Sequence, residues 1–249
     1  MIDFVVVIPA RYASERLPGK PLRLIAGKPL VQHVFERAVE SAAKEIIVAT
    51  DDPRIEQAAT GFGATVCMTG SHHRSGTDRL AEVSRIRNWP EHRVVVNLQG
   101  DEPLMPPELI NQCAALLGAA EVEMATLASP IASAADFRDP NVVKVILDAN
   151  SDAIYFSRAA IPYSRSPRTD ALAMNTASHH HGIYAYRAGT LRRIVAAAPT
   201  ALEESEQLEQ LRAIGVGIRI RVGRPAGRPG PGVDTEADVA RVERLMSQA

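Results

Sequence analysis

The chain has 249 residues, 46% of them hydrophobic, and its 28 Lys+Arg against 29 Asp+Glu leave a formal net charge of -1. That length and apolar content suffice for a large core, as one elaborated α/β domain or two ordinary ones. The charge balance excludes a global basic field for nucleic acid or an anionic membrane surface, so any anion site must arise from local clustering.

The N-terminus runs into "FVVVIPA" (4–10) with no basic region before it, which reads as a strand and not as a signal peptide. "PLVQHVFERAVESA" (29–42) has Leu30, Val34, Ala38 and Ala42 spaced for one helix face. "EIIVATD" (45–51) predicts a strand, "PRIEQAATGF" (53–62) a helix and "ATVCMT" (64–69) a strand; "DRLAEVSRI" (78–86) is helical and "RVVVNLQGD" (93–101) strand-like. Apolar residues on successive positions, as at Val94–Val96, predict strands covered on both faces, the mark of a parallel sheet with crossover helices. Farther on, "EMATLASPI" (123–131), "NVVKVILD" (141–148), "AIYFSRA" (153–159) and "SHHHGIYAYRA" (178–188) are strand-like with little helix between them. An arm over about 140–185 is expected to pack as added antiparallel structure. "EESEQLEQLRAI" (203–214) predicts a helix, "VGIRIRVG" (216–223) a strand and "TEADVARVERLMSQ" (235–248) a closing helix, after a rigid Gly/Pro loop, "GRPAGRPGPG" (223–232). The expectation is one α/β domain over residues 1–249, Rossmann-like, mostly parallel, with that arm. No apolar run reaches membrane-span length, and Cys67 and Cys113 read as buried thiols of a reducing compartment. A soluble, cytoplasmic protein is expected.

Three stretches carry chemistry. "FVVVIPARYASERLPGKPL" (4–22) places Arg11, Arg16 and Lys20 within ten residues, in a loop after a parallel strand. That is the sheet edge where open α/β folds bind ligands, and cations with backbone N–H groups there suit phosphate oxygens. It is not a P-loop, because the upstream Gly is absent and Pro21 stands where Ser or Thr would hold magnesium. "VVVNLQGDEP" (94–103) brings Asp101 to the same edge, where a carboxylate beside a polyphosphate can retain Mg²⁺. "GPGVDTEAD" (230–238) supplies Asp234, which taken alone reads as the cap of the last helix.

Together with "HHRSGTDRLAE", "NVVKVILD", "YFSRAAIPY", "HHGIYAYR", "LEQLR" and "GVDT", these segments resemble, in colinear order over nearly the whole chain, the 3-deoxy-manno-octulosonate (Kdo) cytidylyltransferases. The resemblance implies transfer of CMP from CTP to the anomeric hydroxyl of Kdo with release of pyrophosphate, activating Kdo for lipopolysaccharide biosynthesis. It implies that Arg11, Arg16 and Lys20 grip the triphosphate, and that Ala10, Ser75, Gly76, Thr77 and Gln99 form the cytosine pocket. It makes Asp101 and Asp234 the Mg²⁺ ligands, and Arg16, Lys20, Asp101 and Asp234 the catalytic set. Arg158, His181, Tyr184, Glu209 and Gln210 are implied to bind the acidic sugar, with Arg158 a bidentate partner for its carboxylate. Ser75–Thr77 also reads as the turn and cap of the following helix. The run His179–His181 does not read as a zinc site, since adjacent strand residues point to opposite faces. Two positions depart from the family pattern: Glu204 stands where a His is expected, and Ala237 where an acidic residue is common. A homodimer through the arm is expected.

Overall fold

The structure is a computed structural model describing residues 2–13, 17–73 and 75–248. Its strands in chain order are β1 (Phe4–Ala10), β2 (Leu24–Ile25), β3 (Lys28–Pro29), β4 (Glu45–Thr50), β5 (Thr65–Met68), β6 (Val94–Asn97), β7 (Met124–Pro130), β8 (Lys144–Leu147), β9 (Ala153–Ser157), β10 (Ser178–Arg187) and β11 (Ile220–Gly223). The helices are α1 (Leu30–Val39), α2 (Pro53–Gly61), α3 (Gly76–Ile86), α4 (Pro107–Ala115), α5 (Ala134–Arg138), α6 (Asp170–Thr176), α7 (Ala188–Ala196), α8 (Ala201–Glu206), α9 (Gln210–Gly215) and α10 (Glu236–Met246).

The main sheet runs β11-β7-β10-β6-β1-β4-β5. All neighbours along it are parallel except at β10, which is antiparallel to both β6 and β7. β1 lies inside it, between β6 and β4, and its side chains alternate between two packed layers. Phe4, Val6 and Ile8 meet Val31 and Val34 of α1 with Ile110 of α4, whereas Val5 and Val7 meet Leu80 and Val83 of α3 with Leu191 of α7. Each fully buried aliphatic side chain of this kind contributes on the order of 1.5–3 kcal/mol relative to exposure, and burial on both faces is why the β1 sequence is continuously apolar.

The predicted arm is antiparallel, as expected. β8 pairs with β9 and with the start of β10. Its last strand, however, is a member of the main sheet, because β10 inserts between β6 and β7. Helices α5 and α6 break what reads as strand-rich sequence, and α7 follows it. The predicted helix over 203–214 is two helices, α8 and α9, separated where Gln207 takes a left-handed φ of 53°. The predicted strand over 216–223 narrows to Ile220–Gly223, since the chain leaves α9 through a turn at Val216 and Gly217.

Two long-range contacts position the site. The last helix folds back on the N-terminal segment: Val233, Val239 and Val242 pack with Leu17, Ile25 and Leu30. The Val233 N–H also donates to the Asp101 carbonyl at 2.9 Å. Residues 20, 101 and 234 are thereby drawn to one sheet edge.

Candidate active site

The first element of the site is the end of β1. Opposite Pro9 and Ala10 the strand β6 has already ended, so a residue without an N–H is tolerated there. The loop after β6 turns across this end so closely that a Cβ on Gly100 would lie 2.7 Å from the Pro9 carbonyl oxygen. Only glycine permits that approach, and it sets Asp101 above the end of β1.

Lys20 follows a turn in which the Gly19 N–H donates to the Tyr12 carbonyl. Its ammonium donates to Asp101 Oδ2 at 2.7 Å and to Asp234 Oδ1 at 2.9 Å. Burial works against the charge on Lys20, but the Asp101 and Asp234 carboxylates outweigh it and hold its pKa above the usual lysine value. Neighbouring Glu102 is pushed up to about 8, first by burial and then by the charges of Asp101 and Asp234. The helix cap that Asp234 could have been is Thr235, whose side chain accepts from the Asp238 N–H in a reciprocal capping box. Asp234 is thus left to face Lys20.

Two cavities open at this edge. The smaller, about 770 Å³, is lined by Ala10, Arg11, Lys20, Ser75, Gly76, Arg79, Gln99 and Asp101 among others. Ser75 caps α3, accepting from the Asp78 N–H at 3.1 Å, so the two readings of "SGT" as cap and as pocket wall hold together. Arg79, not singled out in the sequence, is buried with its guanidinium on Thr69 and Asp51. An arginine in the first turn of a helix that opens on a capped pocket is the signal that could have marked it.

The larger cavity, about 820 Å³, is lined by His181, Tyr184, Glu209 and Gln210, and also by Asn97 and Glu102. A bulge shapes it. Along β7 Leu127 faces His181 and the adjacent Thr126 faces Tyr184, so Gly182 and Ile183 are extra residues on β10. Residues three apart on a regular strand would point to opposite faces; the bulge brings His181 and Tyr184 to one cavity. Thr126 fills the bulge, donating to the Ile183 carbonyl at 2.7 Å. His181 Nε2 lies 3.0 Å from Ser129 Oγ. Burial, then His179, pushes His181 down to about 4, and burial with its two His neighbours pushes His180 down to about 3. Both rings are neutral at pH 7. Glu209 accepts from Thr77 Oγ1 at 2.8 Å, and desolvation by the surrounding protein raises its pKa. The Tyr184 hydroxyl and Gln210 Nε2 are buried without a hydrogen-bond partner, the state expected of groups built to meet a polar ligand. Asn97, the single polar residue of β6, lies fully buried beside them; a polar side chain closing an apolar run was its sequence signal.

Of the residues assigned to the sugar, Arg158 lines neither cavity. Its guanidinium donates to the backbone carbonyls of Pro140, Glu206 and Gln207. Arg16 lies outside the described residues. Glu204 and Ala237 are exposed on α8 and α10 and line neither cavity. Among the described residues no group of three or more His, Cys, Asp or Glu is arranged to hold a metal, and the three histidines are divided: His180 packs edge-on to Phe156 while His179 and His181 face each other. The Asp101–Asp234 pair nevertheless converges on one cationic point. Two carboxylates completed by phosphate oxygens are a donor set that suits Mg²⁺, so the residues fit an ion that arrives with a triphosphate.

A family model described as cytidylyltransferase matches residues 5–220. A 3-deoxy-manno-octulosonate cytidylyltransferase from Thioalkalivibrio sulfidiphilus is 50% identical over 248 residues, covering 98% of this chain and 99% of its own, and one from Idiomarina loihiensis is 52% identical over 249 residues, with 98% of each covered. The chain belongs to the 3-deoxy-manno-octulosonate cytidylyltransferase family. Among solved structures, a CMP:2-keto-3-deoxy-manno-octonic acid synthetase complexed with CTP superposes with a TM-score of 0.90 at 44% identity, covering 99% of both chains. A 4-diphosphocytidyl-2C-methyl-D-erythritol synthase superposes with a TM-score of 0.65 at 17% identity over 98% of both chains and shares the fold.

Proposed function

We propose that this cytidylyltransferase transfers CMP from CTP to the anomeric hydroxyl of Kdo, giving CMP-Kdo and pyrophosphate. The observation that carries the reading is that the two cavities share three lining residues, Gln99, Glu209 and Asp234. Two substrates seated in separate cavities would meet at that seam.

In this reading the smaller cavity holds CTP. Ala10, Ser75, Gly76 and Gln99 surround the cytosine, while Arg11 and Lys20 bind the triphosphate. Were the Lys20 ammonium to exchange its carboxylates for phosphate oxygens, Asp101 and Asp234 would be the residues to hold Mg²⁺. Mg²⁺ there would supply charge neutralisation at the phosphates and a lowered pKa for the attacking hydroxyl. The larger cavity holds the sugar acid, with neutral His181, the Tyr184 hydroxyl and Gln210 meeting its hydroxyl groups and Glu209 at the seam. The anomeric hydroxyl gives up its proton to solvent as its oxygen forms a bond to the α-phosphorus and the bond to pyrophosphate breaks, and Lys20 and Arg11 offset the charge that grows on the departing group. Catalysis is positioning and electrostatics with no covalent nucleophile.

In this reading the product is Kdo activated for lipopolysaccharide biosynthesis, and the reaction runs in the cytoplasm. Among the described residues no helix is long and apolar enough to cross a membrane. The arm offers exposed Ile154, Tyr163 and Leu172 for contact with a second copy, and light scattering on the purified protein tests that homodimer. The reaction is tested with CTP labelled at the α-phosphate: label should pass to a CMP-sugar product when Kdo and Mg²⁺ are present. Label that stays in CTP with Kdo but passes to product with another acidic sugar would refute the choice of acceptor.

A further inference from the structure

Lysine is almost never fully buried unless it is paired with a carboxylate. Lys144, on β8, is 0% exposed, yet its ammonium donates to three backbone carbonyls: Asp139 at 2.8 Å, Val142 at 2.5 Å and Arg158 at 2.7 Å. Two of those acceptors lie in the irregular segment before β8, which has no sheet ladder of its own. Arg158 grips the same segment from the other side. Its Nη1 donates to the Pro140 carbonyl at 3.1 Å, and its Nε and Nη2 donate to the Glu206 and Gln207 carbonyls at 2.8 and 3.4 Å. The Glu206 carboxylate completes the clasp by accepting from the Arg158 N–H at 2.8 Å and from Ser157 Oγ at 2.6 Å.

The segments so held are walls of the larger cavity. Asp139, Asn141 and Val142 line it on one stretch, and Gln207, Glu209 and Gln210 on the other. The left-handed turn at Gln207 aims Glu209 and Gln210 into the cavity, and the Arg158 bonds to Glu206 and Gln207 hold that turn. Stability alone does not explain the arrangement, because burying an ammonium is costly and an apolar residue of similar length is often as stable or more so. Burial lowers the pKa of Lys144; the Asp139 and Glu206 carboxylates oppose that shift, and Arg158 adds to it.

We propose that Lys144 is a positioning residue for the acceptor sugar, fixing through the 139–142 carbonyls and the Arg158 carbonyl the cavity wall against which the sugar is read. The inference rests on the reading of the larger cavity as the sugar site. The test is Lys144→Met, with the Kdo KM, kcat and, separately, the CTP affinity by calorimetry. The Kdo KM is expected to rise about tenfold or more, the scale on which a small displacement of positioning groups acts, while CTP binding stays within about twofold. Lys144→Gln keeps two N–H donors and should recover part of the loss; it also serves where the Met variant does not fold. An unchanged Kdo KM in a variant that binds CTP normally would overturn the proposal, as would equal weakening of both substrates. If the wild-type protein makes no CMP-Kdo, the reading of the cavity has failed instead, and the same split is then measured with the acidic sugar that the wild type does accept.

Discussion

Lys20, Asp101 and Asp234 at the mouth of the smaller cavity are charged and reach solvent, whereas His181, Tyr184 and Gln210 in the larger one are neutral and largely enclosed. The first group is satisfied before any ligand arrives, since the ammonium sits between the carboxylates. The second leaves the Tyr184 hydroxyl and Gln210 Nε2 without partners. A triphosphate can be captured by charges that merely change partners, and their exposure costs little to maintain. A sugar must be recognised hydroxyl by hydroxyl, which calls for groups held still in an enclosed wall. The contrast predicts that nucleotide-side variants act mainly on turnover and sugar-side variants mainly on acceptor affinity.

The largest expected effect tests the charged half. Asp101→Asn and Asp234→Asn should each lower kcat by about 10² or more, the scale of losing one electrostatic stabiliser, with little change in melting temperature. Near-normal turnover at limiting Mg²⁺ would remove either residue from the metal site. Next comes Gln210→Ala, which should raise the Kdo KM by roughly tenfold, about 1.4 kcal/mol, and leave the CTP KM alone; a matching rise in the CTP KM would erase the distinction between the cavities.

The neutral half also predicts a pH dependence. His180 and His181 have folded-state values of about 3 and about 4, below the ordinary 6.5. The unfolded chain therefore binds more protons between those values, and stability falls as pH drops below 6.5, by up to about 1.4 kcal/mol per pH unit for each histidine. Denaturant titrations at several pH values should show this slope, reduced in His180→Asn; an unaltered slope would mean that His180 is not held neutral. The smallest effect separates cap from ligand. Thr235→Ala should cost about 1 kcal/mol of stability by removing the cap while sparing kcat, the reverse of Asp234→Asn.

The two halves also differ in how far the sequence exposed them. The opening loop, "LQGDEP" and "SGT" are local signals: each is a strand end or helix start whose charges and small residues declare an edge site. Asp234 is ambiguous in sequence because cap and ligand share one local pattern; in the structure the cap is Thr235, and the packing of α10 on Leu17, Ile25 and Leu30 brings Asp234 beside Lys20. The larger cavity depends on non-local events. The bulge opposite Thr126, the left-handed Gln207 and the insertion of β10 between β6 and β7 all require partners distant in sequence. For the same reason the bonds of Arg158 to the Pro140, Glu206 and Gln207 carbonyls are not legible in the sequence, since no residue type announces a backbone acceptor.

The most direct test of the two-cavity account is a crystal structure with CTP and a Kdo analogue lacking the anomeric hydroxyl, which cannot react. The account predicts the triphosphate against Arg11 and Lys20, with Lys20 withdrawn from Asp101 and Asp234, and the sugar between His181, Tyr184 and Gln210. A sugar bound in the cavity of Arg11 and Lys20, or a triphosphate reaching His181, would contradict it.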